Sequence, residues 1–478
     1  MQISFTDFAI LLLYLAGITL YGARFRRGQK TIRDYFLGGR TAPWWALACS
    51  IVATETSTLT IISTPGIAFA GNLSFLQVVL GYLVARVILC VVLIPQYFQG
   101  EFYTAYQLLE KRFGPRMKRA AAAVFLITRA LAEGVRISAI AKVVSVAFGT
   151  GGWASILIVG VLTLFYTFEG GMSAVIWTDV IQFALYLTGS IAAFFLLLHK
   201  IPGGWPEVAT AAAAAGGKLR VFNFALGLTR DYTFWSGVIG GTFLTMASHG
   251  TDQTLVQRLL AARNERDSKM ALLASGAIVF FQFALFLVLG VMLFVYAQRV
   301  AYLPHGVDPD KIYPLFIVRE MPIGLAGIVL ASIFAVAMSN ASGSLNSLAS
   351  SSIIDFGATQ ADAGQSLQRS RGFTLIWGAV LLGLGLVPWG PVLVAGLTIA
   401  SITYGAMLGV FLLGTWNRRA NESGALISML AGLIFMIVIK LRTPLAWTWY
   451  VFAGTVVTFA VGSIASLLDR KTSPLRES

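Results

Sequence analysis

Six of the seven residues in Thr54-Glu55-Thr56-Ser57-Thr58-Leu59-Thr60 carry a hydroxyl or a carboxylate, yet they lie inside an apolar run that continues to Pro65-Gly66. A lone Ser or Thr in such a run bonds back to its own helix. This density, beside a Pro-Gly break, predicts an unwound segment whose carbonyls and hydroxyls bind a ligand. A second polar interruption, Ser248-His249-Gly250-Thr251-Asp252, follows Gly240-Gly241. A third, Ser339-Asn340-Ala341-Ser342-Gly343-Ser344-Leu345-Asn346-Ser347, places positions 339, 342/343, 346 and 350 on one helical face. Two readings of that face stand together. One is close helix packing through small residues. The other is a row of neutral oxygen ligands, which suits a hard cation rather than zinc or copper.

The charged residues within apolar segments are few. Asp179, in Trp177-Thr178-Asp179, stands at the start of one segment, where capping is the simplest role. Arg129, Glu133, Arg136 and Lys142 share another, and Glu133 is spaced to pair with Arg129 or Arg136. Arg86 has no local partner. Walker, GxSxG and HExxH patterns are absent, and His199, His249 and His305 are far apart. Cys49 and Cys90 show no CxxC spacing and read as buried thiols. No enzyme activity and no organic cofactor are expected.

These residues need elements that hold them in a bilayer. Of 478 residues, 57% are apolar and 12% charged, against roughly 25% charged in an ordinary soluble domain. Mean hydropathy is +0.77. That much apolar surface cannot hide in one soluble core, which excludes a soluble enzyme, a nucleic-acid-binding protein and a disordered scaffold. The first apolar run has no basic flank or cleavage site and reads as a retained helix.

A spanning helix takes ~20 residues, and the pattern predicts thirteen. They lie near 6–24, 44–70, 75–99, 120–148, 153–169, 174–199, 233–256, 270–297, 321–353, 373–388, 391–416, 423–440 and 444–468. With the N-terminus outside, 22 of the 35 Lys and Arg fall in inside loops and 9 in outside loops. The positive-inside rule then gives N-out, C-in in a cell (inner or plasma) membrane. The formal charge of +14 thus belongs to loops at a lipid surface, not to a nucleic-acid face. Two interrupted segments in corresponding places of successive five-helix units point to an inverted repeat with a site between the halves.

The same stretches resemble the sodium:solute symporter family. Asp34-Tyr35-Phe36-Leu37-Gly38-Gly39-Arg40 with Pro43-Trp44-Trp45 is similar to its opening signature. Gly170-Gly171-Met172-Ser173-Ala174-Val175-Ile176-Trp177-Thr178-Asp179-Val180-Ile181-Gln182 resembles its main internal motif. Asp252-Gln253 with Val256-Gln257-Arg258, and Leu345-Asn346-Ser347 with Asp355, are similar to two more, in order along the chain. The resemblance implies an all-α membrane transporter domain over 1–478 with a core of the leucine-transporter type. Its parts would be an extra helix (4–24), two inverted five-helix repeats (44–199 and 233–416) and two C-terminal helices (421–468).

It also implies sodium as the coupling ion. The family's shared sodium site maps onto the carbonyls of Ala53, Thr56 and Val336 and the side chains of Ser339 and Asn340, where a carboxamide replaces the usual hydroxyl. A second sodium, bound by some members, maps onto Asp179, Ser342 and Gly343; glycine offers no hydroxyl, so one or two ions remain open. Solute contacts map onto Glu55, Ser57, Thr58, Thr60, Phe75, Gln77 and Asp252. The positions matching the sugar carriers' Glu, Gln and Glu are Leu59, Thr60 and Val79, which argues against a hexose. Arg136 suggests a carboxylate-bearing solute. The expected partners are a small organic solute, sodium and the bilayer, without an obligate protein partner.

Two other readings remain. One is a proton-coupled or uncoupled carrier on the same fold, with Glu55 or Asp252 titrating. The other is a transport-like membrane sensor, to which the short tail after Arg470 offers no signalling domain.

Overall fold

The computed structural model describes residues 3–25, 32–151, 153–154, 157, 171–300, 303, 306–356, 363–390 and 392–469. Among these the regular structure is entirely helical, with no strand. In chain order the principal helices are α1 (Phe5–Ala23), α2 (Trp44–Glu55), α3 (Thr58–Ala70), α4 (Leu76–Val92), α5 (Pro115–Phe148), α6 (Gly171–Lys200) and α7 (Phe234–Gly250). There follow α8 (Gln253–Leu260), α9 (Glu265–Arg299), α10 (Leu325–Ile354), α11 (Ala363–Gly385), α12 (Val392–Trp416), α13 (Glu422–Arg442) and α14 (Tyr450–Leu468). Helices therefore occupy every segment predicted to span except 153–169, most of which lies outside the described residues, as does His305.

Among the described residues, seven helices are long and apolar enough to cross a membrane, or eight if the bent pair α2–α3 is one span. The predicted count of thirteen exceeds this partly because 153–169 lies mostly outside the described residues and partly for physical reasons. Helix α5 carries Arg129, Glu133, Arg136 and Lys142 along its length, α4 is only 17 residues long, and α7–α8 is interrupted.

The first break falls within the polar stretch expected to unwind, and only the neighbouring Pro-Gly break needs correction. The chain leaves helical geometry at Thr56 (ψ 95°) and Ser57 (ψ 169°), bending α2 from α3 by 62°. Pro65 and Gly66 instead lie within α3. Within a packed bundle the carbonyls freed by a break must find partners on neighbouring helices. At Thr56–Ser57 they do, through Asn340; Pro65 removes one donor and needs no such opening. The second break falls at Thr251–Asp252, where Asp252 (ψ 121°) caps α8 through the Thr254 N–H at 2.9 Å.

The two interrupted units are set against their neighbours by close backbone contact. Helix α7 lies along α4, and at Gly237 an added Cβ would come within 2.9 Å of the Gln77 Cβ. Helix α10 is buried along almost its whole length, between α6, α5 and α2. That position brings its polar face to the first break.

Candidate cation and solute sites

Asn340 sits where the first break opens. Its Nδ2 donates to the carbonyls of Val336 (3.0 Å), Thr56 (3.2 Å) and Ala53 (3.5 Å). Its Oδ1 is buried without a hydrogen-bond partner. Leaving a buried amide oxygen unmatched costs about 1–3 kcal/mol. A half-turn of the nearly isosteric amide would instead aim Oδ1 at those three carbonyls, an arrangement that holds only with a cation between them. The donor set fits a small hard cation: main-chain carbonyls from two helices, a carboxamide oxygen and the neighbouring Ser339 hydroxyl. The side chain of Thr56 takes no part, since its hydroxyl accepts from Gln282 Nε2 at 2.7 Å.

One turn away the environment is ionic. Buried Asp179 accepts from the hydroxyls of Ser339 and Ser50 (2.5 Å from the latter) and pairs with Arg258 Nη2 at 3.2 Å. Arg258 Nε donates to Ser50 Oγ at 2.9 Å. Ser342 donates to the Ser339 carbonyl at 3.1 Å, and so turns back on its own helix. At Gly343 an added Cβ would stand 3.2 Å from Arg258 Nη2. The Asp179 carboxylate therefore already faces a fixed cation.

The solute residues expected from the sequence fall into two groups. Glu55, Ser57, Thr60, Phe75 and Arg136 line one cavity of about 130 Å³ between α2–α3, α4, α5, α7 and α12. Thr58 lines a narrow adjoining cleft instead, shared with Arg136 and Asn340, so the cavity and the carbonyl cluster are neighbours. Gln77 is buried and fully engaged: Nε2 donates to the Ser74 and Tyr232 carbonyls, and Oε1 accepts from the Asn223 N–H. It fastens the 221–232 loop and does not line the cavity. Asp252 also stands behind the wall, held by Arg129 (3.4 Å) and by the Tyr404 hydroxyl (2.7 Å).

Sequence reasoning missed the partners that come from distant helices. Glu55 pairs with Arg86, and His249 Nε2 lies 3.4 Å from the same carboxylate. A lone Arg and a lone Glu in apolar segments were the only signal for that pair. Arg136 pairs with Glu133 at 2.9 Å, whereas Arg129 reaches across to α8. Lys142 joins Asp308 and Asp310 at 2.9 and 2.7 Å, away from the cavity.

The profile of the sodium:solute symporter family matches residues 35–432. The chain belongs to that family. It is a multi-pass membrane transporter rather than an enzyme, with sodium as its coupling ion. The sodium/sialic acid symporter SiaT of Proteus mirabilis is 30% identical over 98% of both chains. The human sodium/iodide cotransporter is 30% identical over 92% of this chain and 69% of its own. A solved Na+-coupled sialic acid symporter, substrate-bound and outward-open, superposes with a TM-score of 0.91 at 29% identity, covering 98% of this symporter and 99% of that chain. A nucleobase-cation-symport-1 transporter, at 12% identity and a TM-score of 0.60 over 92% of this chain and 96% of its own, shares the fold alone.

Proposed function

We propose that this symporter imports a small carboxylate-bearing solute with one sodium ion per cycle. The ion would bind at Ala53, Thr56, Val336, Ser339 and Asn340, and the solute in the cavity lined by Glu55, Ser57, Thr60, Phe75 and Arg136. The observation that carries the reading is the Asn340 carboxamide, unmatched at Oδ1 and set among three carbonyls of α2 and α10. The architecture that goes with it is thirteen spans, two inverted five-helix repeats, N-terminus outside and C-terminus inside. Relatives named as sodium-coupled monocarboxylate transporters, such as the human one at 27% identity, support an anionic group on the solute.

The mechanism follows from what the residues bridge. Sodium at this site ties the break of the first core helix to α10 and favours the state open to the outside. Solute then closes the cavity, and both leave to a low-sodium interior. A ligand shifts such an equilibrium only by its differential affinity for the two states. The narrow cleft lined by Thr58, Arg136 and Asn340 supports coupling of the two proposed sites. Asp179 retains Arg258 as its counter-charge, which favours a single ion. With ~100 mV worth about 2.3 kcal/mol per charge and a roughly tenfold sodium gradient adding about 1.4 kcal/mol, one ion supports ~500-fold accumulation of a net-neutral solute.

Thermal unfolding in detergent at constant ionic strength, sodium against potassium, tests this on wild type and Ser339→Ala. Sodium-specific stabilisation that is lost in the variant is the expected result. Equal melting in both cations, with uptake that rises at acid pH, would replace it with a proton-coupled carrier.

A further inference from the structure

We propose that the cavity takes a small zwitterion, with its ammonium group on Glu55 and its carboxylate on Arg136. This rests on the reading of the cavity as the solute site, and narrows it.

Two of the three ion pairs at the cavity show one member to the interior and hide the other. Glu55 and Arg136 side chains are 12% and 18% exposed, and both line the cavity. Arg86 and Glu133 are each 1% exposed and stand behind them. The cavity is therefore polarised: a carboxylate on the wall from α2, a guanidinium on the wall from α5. An apolar solute would leave both facing carbon, and a singly charged one would leave one of them without a counter-charge.

The unused atoms are the ones such a solute needs. Both ionic contacts of Glu55 fall on Oε2, which leaves Oε1 to accept from a bound donor. Arg136 gives Nη1 to Glu133, and its Nε is closed off from the cavity without a partner, which leaves Nη2 as the donor a solute can meet. A guanidinium N–H donates a charge-assisted hydrogen bond to a carboxylate oxygen. The other guanidinium on the wall, Arg129, is spent on Thr254 and Asp252.

Size points the same way. A cavity of roughly 150 Å³ takes benzene, and this one is about 130 Å³. In this conformation it suits a compact solute such as a small amino acid. Phe75, Tyr82 and Phe283 supply an apolar wall against the carbon chain, with Phe75 and Phe283 stacked at 5.5 Å.

The test is binding to the full chain in detergent and saturating sodium, read by calorimetry and thermal shift. Unbranched amino acids from glycine through γ-aminobutyrate to 5-aminovalerate are each compared with the parent acid and the parent amine of the same chain length. At least one amino acid is expected to bind about tenfold or more tightly than both parents, the worth of one charge-assisted hydrogen bond. Glu55→Gln should reduce that amino acid to the affinity of its parent acid, and Arg136→Gln to that of its amine. If Glu55→Gln fails to fold with Arg86 left unpaired, the wild-type series alone still decides. Parent acids that match their amino acids, or a series in which nothing binds, overturn the zwitterion while sodium stabilisation stands. Loss of sodium-specific stabilisation itself would instead overturn the underlying reading.

Discussion

The two breaks in the bundle use the same backbone device to opposite ends. At Thr56–Ser57 the freed carbonyls of Ala53 and Thr56 meet only a neutral carboxamide, whose own oxygen is unmatched. At Thr251–Asp252 the chain fills its own gap. Asp252 caps α8, accepts from the Tyr404 hydroxyl and pairs with Arg129, while the Gly250 carbonyl accepts from Tyr97 at 2.6 Å. A break in a membrane helix is thus not in itself a site. It becomes one where the liberated oxygens converge on something a cation can displace, and a joint where the chain's own charges occupy them.

Removing the charge from the second break has the largest expected effect. Asp252→Ala leaves buried Arg129 uncompensated and strips the α8 cap, a loss of about 3–5 kcal/mol for a broken buried pair. It should appear as a large drop in melting temperature in potassium, with Asp252→Asn intermediate because the amide oxygen still caps. If Asp252→Ala melted like wild type, the second break would not be locked by its ion pair.

The two breaks also differ in how far the sequence reveals them. The density of hydroxyls from Thr54 to Thr60 exposed the first, which opens at Thr56–Ser57 within that stretch, whereas the neighbouring Pro65-Gly66 is no break. A proline costs a helix one donor; an opening needs acceptors with partners elsewhere, and Asn340 is 284 residues away from Thr56. The helices themselves were legible, because ~20 apolar residues are required to cross a bilayer whatever the fold. Long-range ion pairs were not. Arg86 with Glu55, and Arg258 with Asp179, join segments whose contact no local period encodes. For the same reason Gln77 and Asp252 map onto the solute site by resemblance, whereas their hydrogen-bonding capacity is consumed within the protein.

A third carboxylate sharpens the contrast between charged and neutral partners. Asp355, just past the end of α10, is held by the hydroxyls of Thr104 (3.0 Å) and Ser351 (2.7 Å). Burial pushes its carboxyl up to about 6, against the opposing pull of those hydroxyls. The folded state then keeps the proton more firmly than the unfolded chain. Its stabilising contribution is complete below the ordinary value of 3.8 and is lost as pH rises through about 6. At 1.36 kcal/mol per unit this amounts to about 3 kcal/mol at most. Melting temperature measured between pH 4 and 7 should fall across that window, and Asp355→Asn should flatten the profile. A profile unchanged in the variant would assign the titration elsewhere.

At the first break the expected change is in ligand response. Asn340→Ala removes both the amide that spans the three carbonyls and the oxygen that would join sodium. At a sodium concentration 100 times Kd, binding to the folded state alone adds about 2.7 kcal/mol. That increment should vanish in Asn340→Ala, so that sodium and potassium melts coincide. In Asp252→Asn it should persist on a lower baseline, since the second break does not contribute ligands. If instead Asn340→Ala kept its sodium increment, the carbonyl cluster would not be the ion site.

The smallest expected effect separates the carbonyl cluster from the carboxylate one turn away. Gly343→Ser supplies the hydroxyl that a second sodium site would need, but it does so against Arg258 Nη2, 3.2 Å from the new Cβ. Overpacking of a filled interior costs about 1–3 kcal/mol. Here the low end applies, because the hydroxyl can accept from the guanidinium it approaches. The melting temperature in potassium should fall slightly, and sodium dependence should remain first order, because Arg258 keeps its charge beside Asp179. A sigmoidal sodium dependence in Gly343→Ser would mean that the guanidinium had yielded to an ion. Stoichiometry would then be set by the side chain at 343 rather than by the fixed cation. Either result distinguishes a site that is open because its oxygens lack partners from one that is closed because an arginine already holds them.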